Sequence, residues 1–190
     1  MNRRRILELT GLGLVVPFAH ASNVFAADSG TDDTVAAIQA RWRTFLPTNT
    51  NGVDKTPKIE RPREQWKLEL PADSYRVLFE DDTERPFSSA LDKEKRAGVF
   101  VCRACALPLF TSEMKFDSGT GWPSFFTAIP DHLETKTDFK LIWPRTEYHC
   151  AKCGGHQGHV FDDGPAPSGQ RWCNNGAALR FIARDAGEAD

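Results

Sequence analysis

The stretch Cys150-Ala-Lys-Cys153-Gly-Gly-His156-Gln-Gly-His159-Val-Phe-Asp-Asp163-Gly-Pro, continued by Arg171-Trp-Cys173-Asn-Asn175, concentrates the chemistry of this 190-residue chain. It holds three of the five cysteines and, with His149 just ahead of it, three of the five histidines. Cys150 and Cys153 form a knuckle-like pair, matched upstream by Cys102-Arg-Ala-Cys105. Two Cys-x-x-Cys turns supply four thiolates in a tetrahedron, the donor set of a zinc site. Four thiolates fill the metal's shell and leave no place for water, so such a zinc is structural and the chemistry must lie elsewhere. Two disulfides and a redox-active Cys-x-x-Cys are the alternatives at this stage.

Cys173 is then the cysteine without a partner. A thiol is a nucleophile as thiolate, and a nearby cation favours that form. On a strand Arg171, two residues away, shares a face with Cys173. His156 and His159 follow a knuckle that would hold them rigidly, and Asp163 is close enough in sequence to orient a histidine or hold a loop. Taken singly, each residue has a plainer reading: a buried small hydrophobe for Cys173, structural histidines, a surface charge for Arg171. Spacing leaves both readings open.

Composition bounds the class. The length suits one domain with additions and a real core. A formal net charge of -2 without a basic run gives no reason to expect a nucleic-acid partner. Short apolar runs punctuated by 14 glycines and 12 prolines favour a sheet-rich, loop-rich fold.

In chain order, residues 1–27 read as a signal peptide. Asn2-Arg-Arg-Arg-Ile-Leu7 has the pattern of a twin-arginine export motif, and the apolar run that follows is too short to span a membrane. The alternative is an amphipathic N-terminal helix. Residues 28–60 are polar, a linker with one short helix expected over Asp33–Phe45, and Thr48–Gly52 reads as a turn. The main domain is placed at 61–184, with a frayed tail at 185–190. Helices are expected over Arg63–Leu70 and Ala72–Leu78, both with a proline at the start. Strands are expected at Gly98–Val101, Pro108–Phe110, Lys115–Phe116, Phe125–Thr127, Lys140–Trp143, Arg145–His149 and Arg180–Ile182.

The ordered set of Cys-x-x-Cys, Pro108-Leu-Phe, Lys115-Phe-Asp-Ser-Gly-Thr-Gly-Trp122-Pro-Ser-Phe125, the second Cys-x-x-Cys, Gly158-His-Val-Phe161, Asp163-Gly-Pro and Arg-Trp-Cys-Asn-Asn resembles the B-type methionine sulfoxide reductases, which act on methionine-R-sulfoxide. Thr83-Glu-Arg-Pro-Phe87 fits as well, and the match runs from about Arg61 to Ile182. The resemblance implies a mainly β, β-tent-like fold of two antiparallel sheets, with short N-terminal helices and one structural zinc on Cys102, Cys105, Cys150 and Cys153. It implies that Cys173 attacks the sulfoxide sulfur and becomes a sulfenic acid. His156 and His159 then meet the sulfoxide oxygen, Arg171 and Asp163 shape the field, Asn175 bonds near the thiol, and Trp122 receives the substrate methyl.

Departures from the family pattern are Gln157 for a usual Leu, Trp172, Asn174 for an apolar residue, Gly176 for Ser, and Thr120 where many members carry a resolving cysteine. A one-thiol enzyme follows from the last: a thioredoxin-like protein or another external thiol would reduce Cys173 directly. The expected setting is periplasmic or secreted, and the expected partners are oxidised proteins and a thiol donor. The chain is expected to be a monomer, without nucleic acid, and without a membrane in its mature form. Two rival readings are a binding module that kept the scaffold without catalysis and a redox sensor using the knuckle thiols.

Overall fold

The computed structural model describes residues 29–48, 57–138 and 144–185. The expected leader, the strand expected at 140–143, most of the turn at 48–52 and the tail from 186 lie outside them. Among the described residues the strands are β1 (Gly98–Cys102), β2 (Pro108–Thr111), β3 (Lys115–Phe116), β4 (Ser124–Phe125), β5 (Leu133–Asp138), β6 (Arg145–Cys150), β7 (His156–Phe161), β8 (Arg171–Asn174) and β9 (Leu179–Ala183). They make two antiparallel sheets, of order β2-β1-β9 and β3-β4-β8-β7-β6-β5.

The two sheets meet through aromatic rings. Phe110 of β2 stacks on Phe125 of β4 with centroids 4.0 Å apart, and Phe100 of β1 meets Phe125 edge-on at 5.0 Å. All three rings are fully buried, and burying each removes a large apolar surface from water. Tyr148 of β6 and Trp172 of β8 extend the cluster from the larger sheet.

The helices close the ends. Arg63–Glu69 (α2) and Ala72–Glu80 (α3) each follow a proline, whose fixed φ suits a helix start. Trp66 of α2 stacks on Phe79 of α3, and Leu78 of α3 packs against Gly155 at the entry to β7. The helix expected within 28–60 exists as α1 (Ser29–Ala40) with a 3-10 turn at Trp42–Phe45. It packs on the domain: Ile38 and Trp42 are buried in the core, and the Gln39 amide donates to Thr127 Oγ1 at 2.8 Å.

Four strands differ from expectation. β4 is Ser124–Phe125 because its partner strand is short: the Phe126 amide still bonds Met114 O at 2.9 Å in register, but Met114 belongs to the 3-10 turn Ser112–Met114 and not to β3. β5 escaped notice because Leu133-Glu-Thr-Lys-Thr-Asp138 is an edge strand with an exposed middle, so it has no apolar alternation. β7 and β8 were masked by glycine and by polar residues that face the site rather than the core.

The backbones of β7 and β8 approach closely. A Cβ on Gly158 would lie 1.9 Å from the carbonyl oxygen of Cys173. Gly158→Ala should therefore force the two strands apart and lower stability by about 1–3 kcal/mol or more. Denaturant unfolding checks this, and an unchanged midpoint would show that the strands part freely.

Candidate active site and metal centre

The two knuckles are the same turn built twice. Ala106 and Gly154, each four residues after the first cysteine, take left-handed φ of 59° and 72°. Each sends its amide back to the carbonyl of that cysteine, Ala106 to Cys102 at 2.9 Å and Gly154 to Cys150 at 2.8 Å. Cys102 and Cys150 in turn donate their own amides to the carbonyls of Leu107 and Gly155. The result points all four sulfurs inward, within 4.8 Å of one another. Sγ separations of 3.6 Å (Cys102 to Cys153) and 3.5 Å (Cys105 to Cys150) are far beyond the roughly 2.05 Å of a disulfide. They approach the edge of about 3.8 Å that a tetrahedron with metal–sulfur bonds of ~2.3 Å requires. The donor set fits a closed metal site, and Gln157 Nε2 donates to Cys102 Sγ at 3.5 Å as an outer support.

The second constellation lies across the larger sheet. Cys173 of β8 is in register with Ser124 of β4 on one side and His159 of β7 on the other. His159 pairs with Glu147 of β6, and Glu147 with Lys136 of β5. Directly opposed residues share a face, so Ser124, Cys173, His159, Glu147 and Lys136 form one row over five strands. Arg171 shares this face, as expected, and its pairing with Phe161 places the guanidinium 4.3 Å from the Phe161 ring centroid.

His156 joins the row by an irregularity. Residues three apart on a regular strand face opposite ways. Here the register steps between Tyr148 and His149, so that Gln157 is the unpaired extra residue. The bulge turns His156 onto the same side as His159, with ring centroids 5.5 Å apart. Gln157 itself goes into the core.

Two residues unremarked in the sequence complete the site. Buried Glu147 accepts from His156 Nδ1 at 2.8 Å and faces Lys136 Nζ at 3.2 Å. Buried Asp138 accepts from His159 Nε2 at 3.0 Å and from Arg145 at 2.8 Å. An ionised carboxylate only accepts, so these contacts fix the tautomers: His156 keeps Nε2 available and His159 keeps Nδ1. The signal for Glu147 was present in the polar alternation Arg145, Glu147, His149. Asp138 lay on the overlooked β5.

Electrostatics at Cys173 are a contest. Burial pushes the thiol above its ordinary range, Arg171 and Thr120 pull it down, and Asp163 pushes it up again. Burial wins, so a neighbouring arginine does not by itself make a resting thiolate. Asp163 holds Arg171 by a two-pronged pair at 2.8 and 2.9 Å, and each group stabilises the charge of the other. His159 is held below its usual range, chiefly by burial and against the pull of Asp138, which keeps it neutral at pH 7.

Trp122 stands two residues before Ser124, and its Nε1 donates to Glu84 O at 3.2 Å. Asn175 is placed differently from a free neighbour of the thiol. Its side chain donates to Gln157 O at 3.1 Å and accepts from the Glu84 amide at 3.1 Å, pinning the loop of residues 83–89 to β7. That loop carries the exposed Phe87 past Gly121, where a Cβ would lie 2.7 Å from the Phe87 nitrogen.

A sequence profile described as the SelR domain matches residues 70–183. The chain belongs to the MsrB family. It is 46% identical over 131 residues to the peptide methionine sulfoxide reductase MsrB of Methanosarcina barkeri, covering 68% of this chain and 92% of that protein. The same-named protein of Bradyrhizobium diazoefficiens is 50% identical over 125 residues, covering 65% and 90%. That of Caulobacter vibrioides is 47% identical over 135 residues, covering 70% and 85%.

Within this MsrB scaffold Gln157 and Asn174, two of the departures noted from sequence, prove to be partners. Both are fully buried, and Asn174 Nδ2 approaches Gln157 Oε1 at 3.4 Å while Tyr148 Oη donates to Asn174 Oδ1 at 2.9 Å. With Gln157 also on Cys102 Sγ, one polar chain links the knuckle to the strand that carries Cys173. Breaking it at one point should cost more than replacing it whole, since a single change leaves a buried polar group unpaired. Gln157→Leu is expected to lower stability by about 1–3 kcal/mol, and Gln157→Leu with Asn174→Val to recover part of that loss. Unfolding midpoints of the metal-loaded variants measure the coupling.

Proposed function

We propose that this chain reduces methionine-R-sulfoxide to methionine by a thiol-dependent reaction with Cys173 as nucleophile. The observation that carries the reading is the row of Cys173 beside His159 and Glu147, with His156 brought onto it by the bulge, inside an MsrB-family scaffold.

The step balances as follows. The Cys173 thiolate attacks the sulfoxide sulfur, and the oxygen, taking up a proton, ends on Cys173 as a sulfenic acid while methionine leaves. The methionine sulfur gains two electrons and the cysteine sulfur gives them up. Two external thiols then return Cys173 to the thiol, releasing water and forming their own disulfide. A sulfoxide oxygen leaves sulfur poorly unless protonated, so a ring nitrogen must meet it. His156 Nε2 suits that task in the imidazolium form, which carries a proton on Nε2 while its Nδ1–H stays on Glu147. Arg171 stabilises negative charge at Cys173 as substrate arrives. The Trp122 ring supplies an apolar wall for the methyl group, opposite the polar row, and so selects one epimer.

The four knuckle sulfurs would hold one zinc ion, which supplies structural closure and no open coordination position. The reductant is taken to be a thioredoxin-like or other external thiol, since Thr120 stands at the expected place of a resolving cysteine. The leader reading would put the enzyme in the periplasm or outside the cell, repairing exported proteins.

With racemic methionine sulfoxide and dithiothreitol, only the R epimer should disappear in chiral chromatography, and Cys173→Ser should abolish the loss. Consumption of neither epimer by folded, metal-loaded protein would overturn the reading. His156→Gln should lower kcat by roughly 10²–10⁴-fold with the fold intact. Elemental analysis should find about one zinc per chain, and a chelator that removes it should lower the unfolding temperature.

A further inference from the structure

Three hydroxyl side chains next to Cys173 are connected in a way that the reaction above does not use. Ser118 Oγ lies 2.8 Å from Thr120 Oγ1 and 2.8 Å from Ser124 Oγ, and either atom of each pair can donate. Ser124, the cross-strand partner of Cys173, also lies 3.1 Å from Trp122 O, an acceptor only. At the other end the Thr120 hydroxyl is among the groups that hold the Cys173 thiol down, and Ser124 lies directly across the strands from that thiol. Gly119 and Gly121 at φ 69° and 88° make the tight loop that turns Thr120 back toward the thiol.

Counting protons allows two complete arrangements. Each hydroxyl has one proton to give. With Cys173 as thiol, S–H donates to Thr120, Thr120 to Ser118, Ser118 to Ser124, and Ser124 to Trp122 O. With Cys173 as thiolate, every rotor reverses: Ser124 donates to Ser118, Ser118 to Thr120, and Thr120 to the sulfur. No proton moves between hydroxyls. Four bonds become three: the bond to the Trp122 carbonyl is given up, and the weak S–H donor bond to Thr120 is replaced by a charge-assisted bond from Thr120 to sulfur, while hydrogen bonds aligned in series reinforce one another.

We propose that Thr120, Ser118 and Ser124 form a reversible hydrogen-bond relay that serves Cys173 in both protonation states, with Thr120 as a further catalytic residue. The proposal rests on the reading of Cys173 as the nucleophile. It gives the buried sulfur a donor that appears when charge appears, and an acceptor when it does not. The other charged and titratable groups beside Cys173 are Arg171 on its own strand with Asp163 behind it and His159 from β7, while Tyr148 of β6 lies on the core face of the sheet with its hydroxyl on Asn174. None of these reverses its polarity with the thiol.

The test is the rate of Cys173 alkylation by iodoacetamide against pH in the full, metal-loaded chain, followed on the Cys173 peptide by mass spectrometry. Thr120→Val should slow alkylation at pH 7 by about tenfold and move the midpoint up by about one pH unit. Thr120→Ser should stay near the wild type. Ser118→Ala does not touch Cys173, yet it should shift the profile the same way by a smaller amount, which a merely structural loop would not do at an unchanged unfolding midpoint. A Thr120→Val profile that overlays the wild type overturns the proposal. So does a Ser118→Ala profile that does not move while Thr120→Val does. Alkylation needs no turnover, so this outcome is separate from the Cys173→Ser activity test of the nucleophile.

Discussion

The gathering of four sulfurs from two sheets is the constraint on which the rest is built. Cys102 ends β1 of the smaller sheet and Cys150 ends β6 of the larger, so the knuckles fasten the sheets at one edge while Phe110 and Phe125 hold the middle. The closest sulfur contacts join residues 45 and 51 positions apart, a long loop for the chain to close without a cross-link. β7 begins three residues after Cys153, so the place of His156 depends on the knuckle as much as on the sheet.

From that fixed entry the site follows by strand register. Cross-strand pairing delivers Cys173, His159 and Glu147 to one row without loops, and one extra residue, Gln157, adds His156. Two carboxylates are buried on this face, Glu147 within the row and Asp138 at the end of β5, which would be costly if either were alone. Each has a cation and a histidine instead, Lys136 and His156 for Glu147, Arg145 and His159 for Asp138. The histidines are thereby oriented by buried carboxylates on their own face of the sheet.

The sequence was most legible where chemistry needs rare residue types. The four knuckle cysteines, Cys173, both histidines, Arg171 and Asp163 could each be singled out from spacing and from motif, and helices α2 and α3 from their prolines, whereas the pairing of Arg171 with Asp163 came only from the structure. It was least legible where structure is made by neighbours. β5 has no apolar pattern because its middle faces solvent, and Asp138 went with it. The bulge at Gln157 leaves no mark in residue types, since it is defined by what β6 does opposite. Gln157 and Asn174 looked like two separate departures, and only their contact shows that each explains the other. The balance at Cys173 was open in the sequence for a similar reason: Arg171 is visible there, and burial is not.

That balance has a consequence for survival under oxidation. Hydrogen peroxide attacks thiolates, and a sulfur that is mostly protonated at rest offers it little to attack. An enzyme that works on methionine sulfoxide meets its substrate where oxidants have been at work. Keeping the sulfur quiet in an apolar setting, with charge stabilisers close by, lets a bound sulfoxide call on a nucleophile that stray oxidants do not find.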